Sequence, residues 1–195
     1  GGTFGLRLAL TGHDVHFIAR GAHLDAIRKN GLRVEGVRGE ATLTPTQATD
    51  DPRTIGPVDL VLFCVKLWDT ETAGQACKLL IGSDTAVLTL QNGVDGVPIL
   101  SRILGAKHVM GGAAGIFATI ARPGVITQPG PVQAIAFGEQ DGRLSPRAIA
   151  FRDAFTAAGI DCNLSAQADV ELWKKFVYLT ALSGMTCYAR KSIGP

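Results

Sequence analysis

The sequence predicts an α/β fold built around a parallel sheet. Three observations predict it. Short apolar runs alternate with amphipathic stretches as far as about residue 112. A cluster of Gly1, Gly2 and Gly5 opens directly onto an apolar helical run ending at Leu10. Arg20, Lys66 and Asn92 stand where three of the apolar runs end.

The elements follow in chain order. The glycine cluster and residues 6–10 form a short helix that packs closely on a sheet, stopped by Thr11-Gly12-His13-Asp14. Residues 15–19 form a buried strand. Residues 23–28 make a turn or two of helix, broken by Asn30-Gly31. Residues 32–35 and 41–44 alternate as short strands. The run 59–66, polar only at its ends, is expected to be a central parallel strand. Residues 70–80 are helical, with Asp69 or Thr70 as the cap. Residues 85–90 are the next strand, closed by Gln91-Asn92-Gly93. A helix over 97–104 leads into a strand at 108–112. Beyond Gly115 the pattern changes. Residues 116–120, 124–127 and 132–138 are strand-like, divided by Pro and Gly, and are expected to add antiparallel strands to one sheet edge. Ser145 caps a helix over 145–158 with Pro146 at its first position, and Gly159 stops it. Residues 160–164 are the last strand. Ser165 caps a long helix to about Arg190, and the chain closes on Ile193-Gly194-Pro195.

At 195 residues the chain can bury a full core, as one domain or one plus part of another. It is 46% hydrophobic and 18% charged, as globular chains are, with no repeat or low-complexity segment. The net charge of +2 and the lack of a Lys/Arg-rich run give no reason to invoke nucleic acid. No apolar stretch approaches the ~18 residues of a membrane span, and no signal-peptide pattern is present. Cys64, Cys77, Cys162 and Cys187 lack metal-ligand spacing. They are expected to be buried, reduced thiols in a cytoplasmic protein.

The first 20 residues resemble the back half of a dinucleotide-binding βαβ unit. There the helix N-terminus holds the pyrophosphate with its free N–H groups and dipole. An acidic residue after the second strand binds the ribose of NAD, whereas Arg pairs with the 2′-phosphate of NADP. Arg20 stands at that place, although glycines before a helix and a solvated Arg after a strand are both common. A complete fingerprint would set an apolar strand and two further glycines before Gly1. Lys66 and Asn92 occupy equivalent strand ends, where open α/β sheets bind ligands. The alternative for each is a surface loop residue, and Asn92-Gly93 is also a turn signal. Lys175 lies among Trp173, Phe176 and Leu179. Desolvation there would lower its pKa toward acid/base range. On spacing alone an ordinary snorkelling lysine is the better reading.

Taken in order, six segments resemble the ketopantoate reductase (2-dehydropantoate 2-reductase) family. They are Gly1-Gly2-Thr3-Phe4-Gly5, Gly12-His13-Asp14-Val15, Ala19-Arg20-Gly21, Val65-Lys66, Gln91-Asn92-Gly93 and Trp173-Lys174-Lys175-Phe176. The resemblance implies a Rossmann-like NADP-binding domain over 1–164, lacking its first strand. It also implies the start of an all-helical C-terminal substrate domain over 165–195. It implies NADP(H) held by Gly1, Gly2, Thr3, Arg20, Lys66, Asn92 and Gly93, with Lys175 as proton donor in reduction of a 2-keto acid. Asn92, Lys175 and Ser183 are the implied substrate contacts, no metal is implied, and a homodimer is compatible. Where the family has Asn four and eight residues after the catalytic lysine, this chain has Leu179 and Ser183. That departure leaves ketopantoate itself open and points to a bulkier or less polar keto acid. Two alternatives stay beside this one: a non-catalytic NADP(H)-binding or sensor protein, and a related reductase for another acid. Residues 1–195 alone are expected to bind NADPH weakly or not at all, because the sheet would lack a central member and expose edges.

Overall fold

The computed structural model describes residues 1–193. Gly194 and Pro195, the end of the expected helical domain, lie outside the described residues. The architecture is α/β, with three sheets and helices between and around them. In chain order the elements are α1 (Gly2–Leu10), β1 (Phe17–Ile18), α2 (Gly21–Asn30), β2 (Leu32–Gly36), β3 (Ala41–Leu43), β4 (Ala48–Thr49) and β5 (Leu60–Phe63). Then come α3 (Thr70–Cys77), β6 (Ala86–Thr89), α4 (Gly96–Leu104), β7 (Val109–Ile116), β8 (Thr119–Arg122) and β9 (Val125–Gln128). The chain continues with β10 (Gln133–Glu139), α5 (Pro146–Ala157), β11 (Asp161–Leu164) and α6 (Ala168–Ala189).

The main sheet has the order β11-β10-β7-β6-β5. The pairs β5–β6, β6–β7 and β10–β11 are parallel, and β10 runs antiparallel to β7. Its two faces bury different clusters. Phe4 and Leu8 of α1 and Phe155 of α5 pack with Leu88, Met110, Ile135 and Phe137. On the other side, Cys77 of α3 and Leu100 of α4 pack with Phe63, Val87 and Val109. A third cluster joins Leu6 of α1 to Ile27, Leu32, Val34 and Ile126. Helix α1 is therefore held between the main sheet and a four-stranded sheet of order β3-β2-β9-β8. That close approach needs small residues. A Cβ on Gly2 would come 2.3 Å from Ile126 Cδ1, and one on Gly5 would come 2.7 Å from Phe17.

Several expectations change. The run 59–66 is a strand only over β5, and β5 is an edge strand paired with β6 alone, not a central one. The segment 15–19 is not a buried strand. Only β1 is strand, it bonds β4 along one edge, and Ile18 is 49% exposed. Strands β8 and β9 do not join the main sheet. Parallel pairing of β9 with β2 carries them into the second sheet, and only β10 adds antiparallel to the main one. Asp69 is the N-cap residue of α3, one of the two expected, but its side chain makes no cap bond, and the Thr70 hydroxyl donates to Leu67 O at 2.6 Å. Ser165 precedes the α6 cap residue Gln167 and accepts its backbone N–H at 3.1 Å. All four cysteines are free, but Cys64 and Cys187 are exposed. Only Cys77 is fully buried, and burial pushes its thiol up to about 11. Ser145, in contrast, caps α5 as expected, accepting from the Ala148 N–H at 3.2 Å.

Candidate functional site

The site is assembled from the C-terminal ends of strands. Arg20, two residues past β1, is the N-cap residue of α2 and has extended backbone. Lys66, three residues past β5, opens a short 3-10 turn over Leu67–Asp69. Asn92-Gly93 follows β6, and Gly93 takes φ +92°, a left-handed conformation that glycine adopts without strain. Strands β5 and β6 are parallel neighbours, so these two loops leave the sheet at the same end.

Specific contacts join the loops. The Arg20 guanidinium lies 3.7 Å from the Asp69 carboxylate, with the Arg20 side chain 77% exposed. Asp69 donates its backbone N–H to Lys66 O at 2.9 Å. Gln91 is the buried link between the β5 and β6 ends. Its Nε2 donates to Val65 O at 3.0 Å and to Thr70 Oγ1 at 2.8 Å. Its Oε1 accepts from Thr89 Oγ1 at 3.1 Å. One amide thus ties together the residue before Lys66, the first residue of α3, and Thr89 at the end of β6. Sequence reasoning singled out Asn92 and Gly93 and missed Gln91 and Asp69. A polar residue directly after an apolar strand was the available signal for Gln91.

The N-terminus of α1 adjoins this edge. Gly1 is its N-cap residue and no side chain caps it, so the first backbone N–H groups are free to meet an anion. A Cβ on Gly1 would lie 3.2 Å from Cys64 Cβ, just past β5. Gly2 and Thr3 follow in the first turn, and Thr3 is 3% exposed. The uncapped turn, the exposed guanidinium of Arg20 and the Lys66 ammonium form a donor set suited to a phosphorylated dinucleotide. Among the described residues, no group of three or more His, Cys, Asp or Glu is placed to hold a metal. Among them, too, no helix is long and apolar enough to cross a membrane.

Lys175 comes from α6. That helix docks through Ala168 and Leu172, its two buried residues. Leu172 Cδ1 would lie 3.2 Å from a Cβ on Gly111 of β7, the strand beside β6. Lys175 is one turn further along the same face. Trp173 and Phe176 flank it, their rings edge to face with centroids 5.6 Å apart. Burial holds the Lys175 ammonium below the usual lysine range. Glu171 is engaged with Lys174 at 2.9 Å, and among the described residues Lys175 has no counter-ion. Ser183, two turns beyond, is exposed, and its hydroxyl donates to Leu179 O at 2.7 Å. Named contacts thus link Arg20 to the Lys66 turn through Asp69, and link that turn to Gln91, the residue before Asn92. Lys175 is set on the adjoining strand by packing alone.

A family model described as ketopantoate reductase PanE/ApbA matches residues 1–142. The chain superposes on a crystal structure of 2-dehydropantoate 2-reductase from Porphyromonas gingivalis with a TM-score of 0.91 at 34% identity. That match covers 98% of this chain and 69% of the other. It superposes on the 2-dehydropantoate 2-reductase of Geobacter metallireducens with a TM-score of 0.87 at 31% identity, over 94% of this chain and 60% of that one. A 2-dehydropantoate 2-reductase of Archaeoglobus fulgidus is 31% identical over 195 residues, covering all of this chain and 62% of that protein. The chain thus spans roughly three fifths of the length of such relatives.

Proposed function

The chain belongs to the PanE/ApbA ketopantoate reductase family, and from that premise we propose that the protein carrying it reduces a 2-keto acid with NADPH. The substrate that relatives' names indicate is 2-dehydropantoate, reduced to pantoate. One observation carries the reading. A desolvated lysine, with no counter-ion among the described residues, stands on the helix packed beside strand ends that present Arg20, Lys66 and Asn92.

The roles follow from the chemistry of each group. The uncapped turn at Gly1, Gly2 and Thr3 would take the pyrophosphate. Arg20 would take the 2′-phosphate, giving up its contact with Asp69. Lys66 and Asn92-Gly93 would hold the ribose side. The bound nicotinamide supplies the hydride. Lys175 as ammonium would hydrogen-bond the keto oxygen, stabilise the developing alkoxide and deliver its proton. Its lowered pKa makes that proton easier to release. Asn92 offers both a donor and an acceptor, so it would orient the substrate as well as the cofactor. Ser183 would contribute as an acceptor, since its hydroxyl proton is already directed at Leu179 O.

The same reading gives the domains. Residues 1–164 form the NADP-binding unit and 165–195 begin a helical substrate domain. Exposed Val177, Tyr178, Met185 and Tyr188 on α6 support this, because an apolar helix surface of that extent needs a cover. A homodimer would draw on the same surface. Four free thiols accord with a reducing, cytoplasmic setting. The test is oxidation of NADPH by the purified full-length protein that carries this chain, with a panel of 2-keto acids. Turnover is expected, and none with any acid overturns the reading. Tight NADPH binding without turnover would instead select a non-catalytic NADP(H) sensor, which Leu179 and the self-bonded Ser183 favour.

A further inference from the structure

We propose that Asp69 is a cofactor-selectivity residue. Its carboxylate, paired with Arg20, opposes the 2′-phosphate of NADPH and offers an acceptor to the ribose 2′-hydroxyl of NADH, so that the protein takes both cofactors. This rests on the cofactor placement in the reductase reading above and gives a role to the acid beside the arginine. Local structure explains why that carboxylate is available. Asp69 is the N-cap residue of α3, where an Asp side chain ordinarily accepts a backbone N–H of the first turn. A capping residue has extended backbone. The 3-10 turn Leu67–Asp69 runs directly into α3, so Asp69 has helical backbone instead, with φ −92° and ψ 0°. Its side chain makes no cap bond, and its carboxylate lies 3.7 Å from Arg20 Nη2. The turn that carries it is held at both ends. Gln91 Nε2 donates to Val65 O and to Thr70 Oγ1, and the Thr70 hydroxyl donates to Leu67 O. Glu71, the next acid along α3, is engaged by Arg102 instead.

The consequence is electrostatic. A 2′-phosphate taken by Arg20 has to share the guanidinium with Asp69 or displace it. A phosphate monoester carries close to two negative charges at neutral pH. Two unit charges a few ångströms apart in water alter an equilibrium several-fold, and a dianion roughly doubles that free energy. Both side chains reach water, so salt screening takes part of it back, and about tenfold remains. A ribose 2′-hydroxyl reverses the sign, because it can donate to the carboxylate in a charge-assisted bond. In dinucleotide-binding folds an acid makes that bond when NAD is the cofactor, and an arginine serves the phosphate of NADP. Here the arginine stands past β1 and the acid comes from the turn past β5. Two groups of opposite cofactor preference are therefore in contact, each weakening the selectivity of the other.

The experiment uses the purified full-length protein that carries this chain and measures Kd for NADPH and for NADH by calorimetry, with no keto acid present. Asp69→Asn removes the charge and keeps a residue suited to a helix N-terminus. The ratio of NADPH to NADH affinity is expected to rise about tenfold, through tighter NADPH and weaker NADH. Asp69→Ser also removes the charge and supplies the same measurement if the Asn variant fails to fold. A carboxylate with a merely structural role would weaken both cofactors alike and leave the ratio unmoved. A ratio that rises less than about threefold, or falls, overturns this inference and leaves the reductase reading standing. Failure of the parent protein to bind either cofactor overturns the reductase reading and this inference with it.

Discussion

Replacing Gln91 with Leu should loosen both the fold and the cofactor site. The change keeps the side chain's bulk and removes its amide. Three hydrogen bonds are lost, to Val65 O, Thr70 Oγ1 and Thr89 Oγ1, in a position 7% exposed. A net bond is worth about 1 kcal/mol, and a buried group left without a partner costs about 1–3 kcal/mol. The Thr70 hydroxyl keeps Leu67 O as its acceptor, so Val65 O and the Thr89 hydroxyl bear most of the loss. A destabilisation of about 3 kcal/mol follows. For a chain of this length that is roughly 6–12 °C in Tm. Because the same amide holds the loops of Lys66 and Asn92, NADPH affinity should fall by about tenfold, which is about 1.4 kcal/mol. Urea titration measures the first effect and calorimetry with NADPH the second. Gly96→Ala should behave similarly, since its Cβ would sit 2.7 Å from Gln91 Oε1. A Gln91→Leu protein within 1 kcal/mol of the parent, with unchanged NADPH affinity, would refute the assignment of Gln91 as the link between the strand ends.

Other outcomes follow from the same geometry. Arg20→Ala should weaken NADPH binding by about tenfold or more while leaving NADH nearly unchanged, because only the 2′-phosphate is lost as a partner; equal losses for both would remove Arg20 from that role. The rate of keto acid reduction should fall as pH rises through the depressed pKa of Lys175, so the alkaline limb of the pH profile should lie below the ordinary lysine value of 10.5. A limb at or above that value would contradict a desolvated proton donor. His23 accepts the Gly124 N–H through Nδ1 at 3.0 Å, and burial lowers its pKa from 6.5. The unfolded chain therefore takes up that proton first, and stability should decline as pH falls below 6.5. Urea titrations above and below that pH should show the decline in the parent and a smaller one in His23→Gln.

Local signals carried much of the fold. Ser145, Pro146 and Gly159 mark α5 because a cap, a fixed φ and a left-handed stop act within a few residues. Strand β5 was legible as a strand, since an apolar run reports cover on both faces. Its edge position was not, because apolarity says nothing about lateral neighbours. Pro123 and Gly124 signalled a break, but which sheet β8 and β9 join is decided by β9 pairing with β2, ninety residues away. Cys64 looked like core because thiols usually are; its exposure depends on what lies beside β5. In the candidate site, the desolvation of Lys175 was legible because Trp173 and Phe176 are its neighbours in sequence, although spacing alone favoured a snorkelling lysine. Gln91 was not, because Val65, Thr70 and Thr89 meet it only through the register of β5 on β6.

The proton-donor role of Lys175 is tested most directly by Lys175→Ala in the purified protein. Keto acid reduction and NADPH affinity are measured side by side. The account predicts a kcat lower by about 10²–10⁴-fold, the usual worth of a positioned acid, with NADPH affinity unchanged. A variant that keeps the parent's kcat would contradict it.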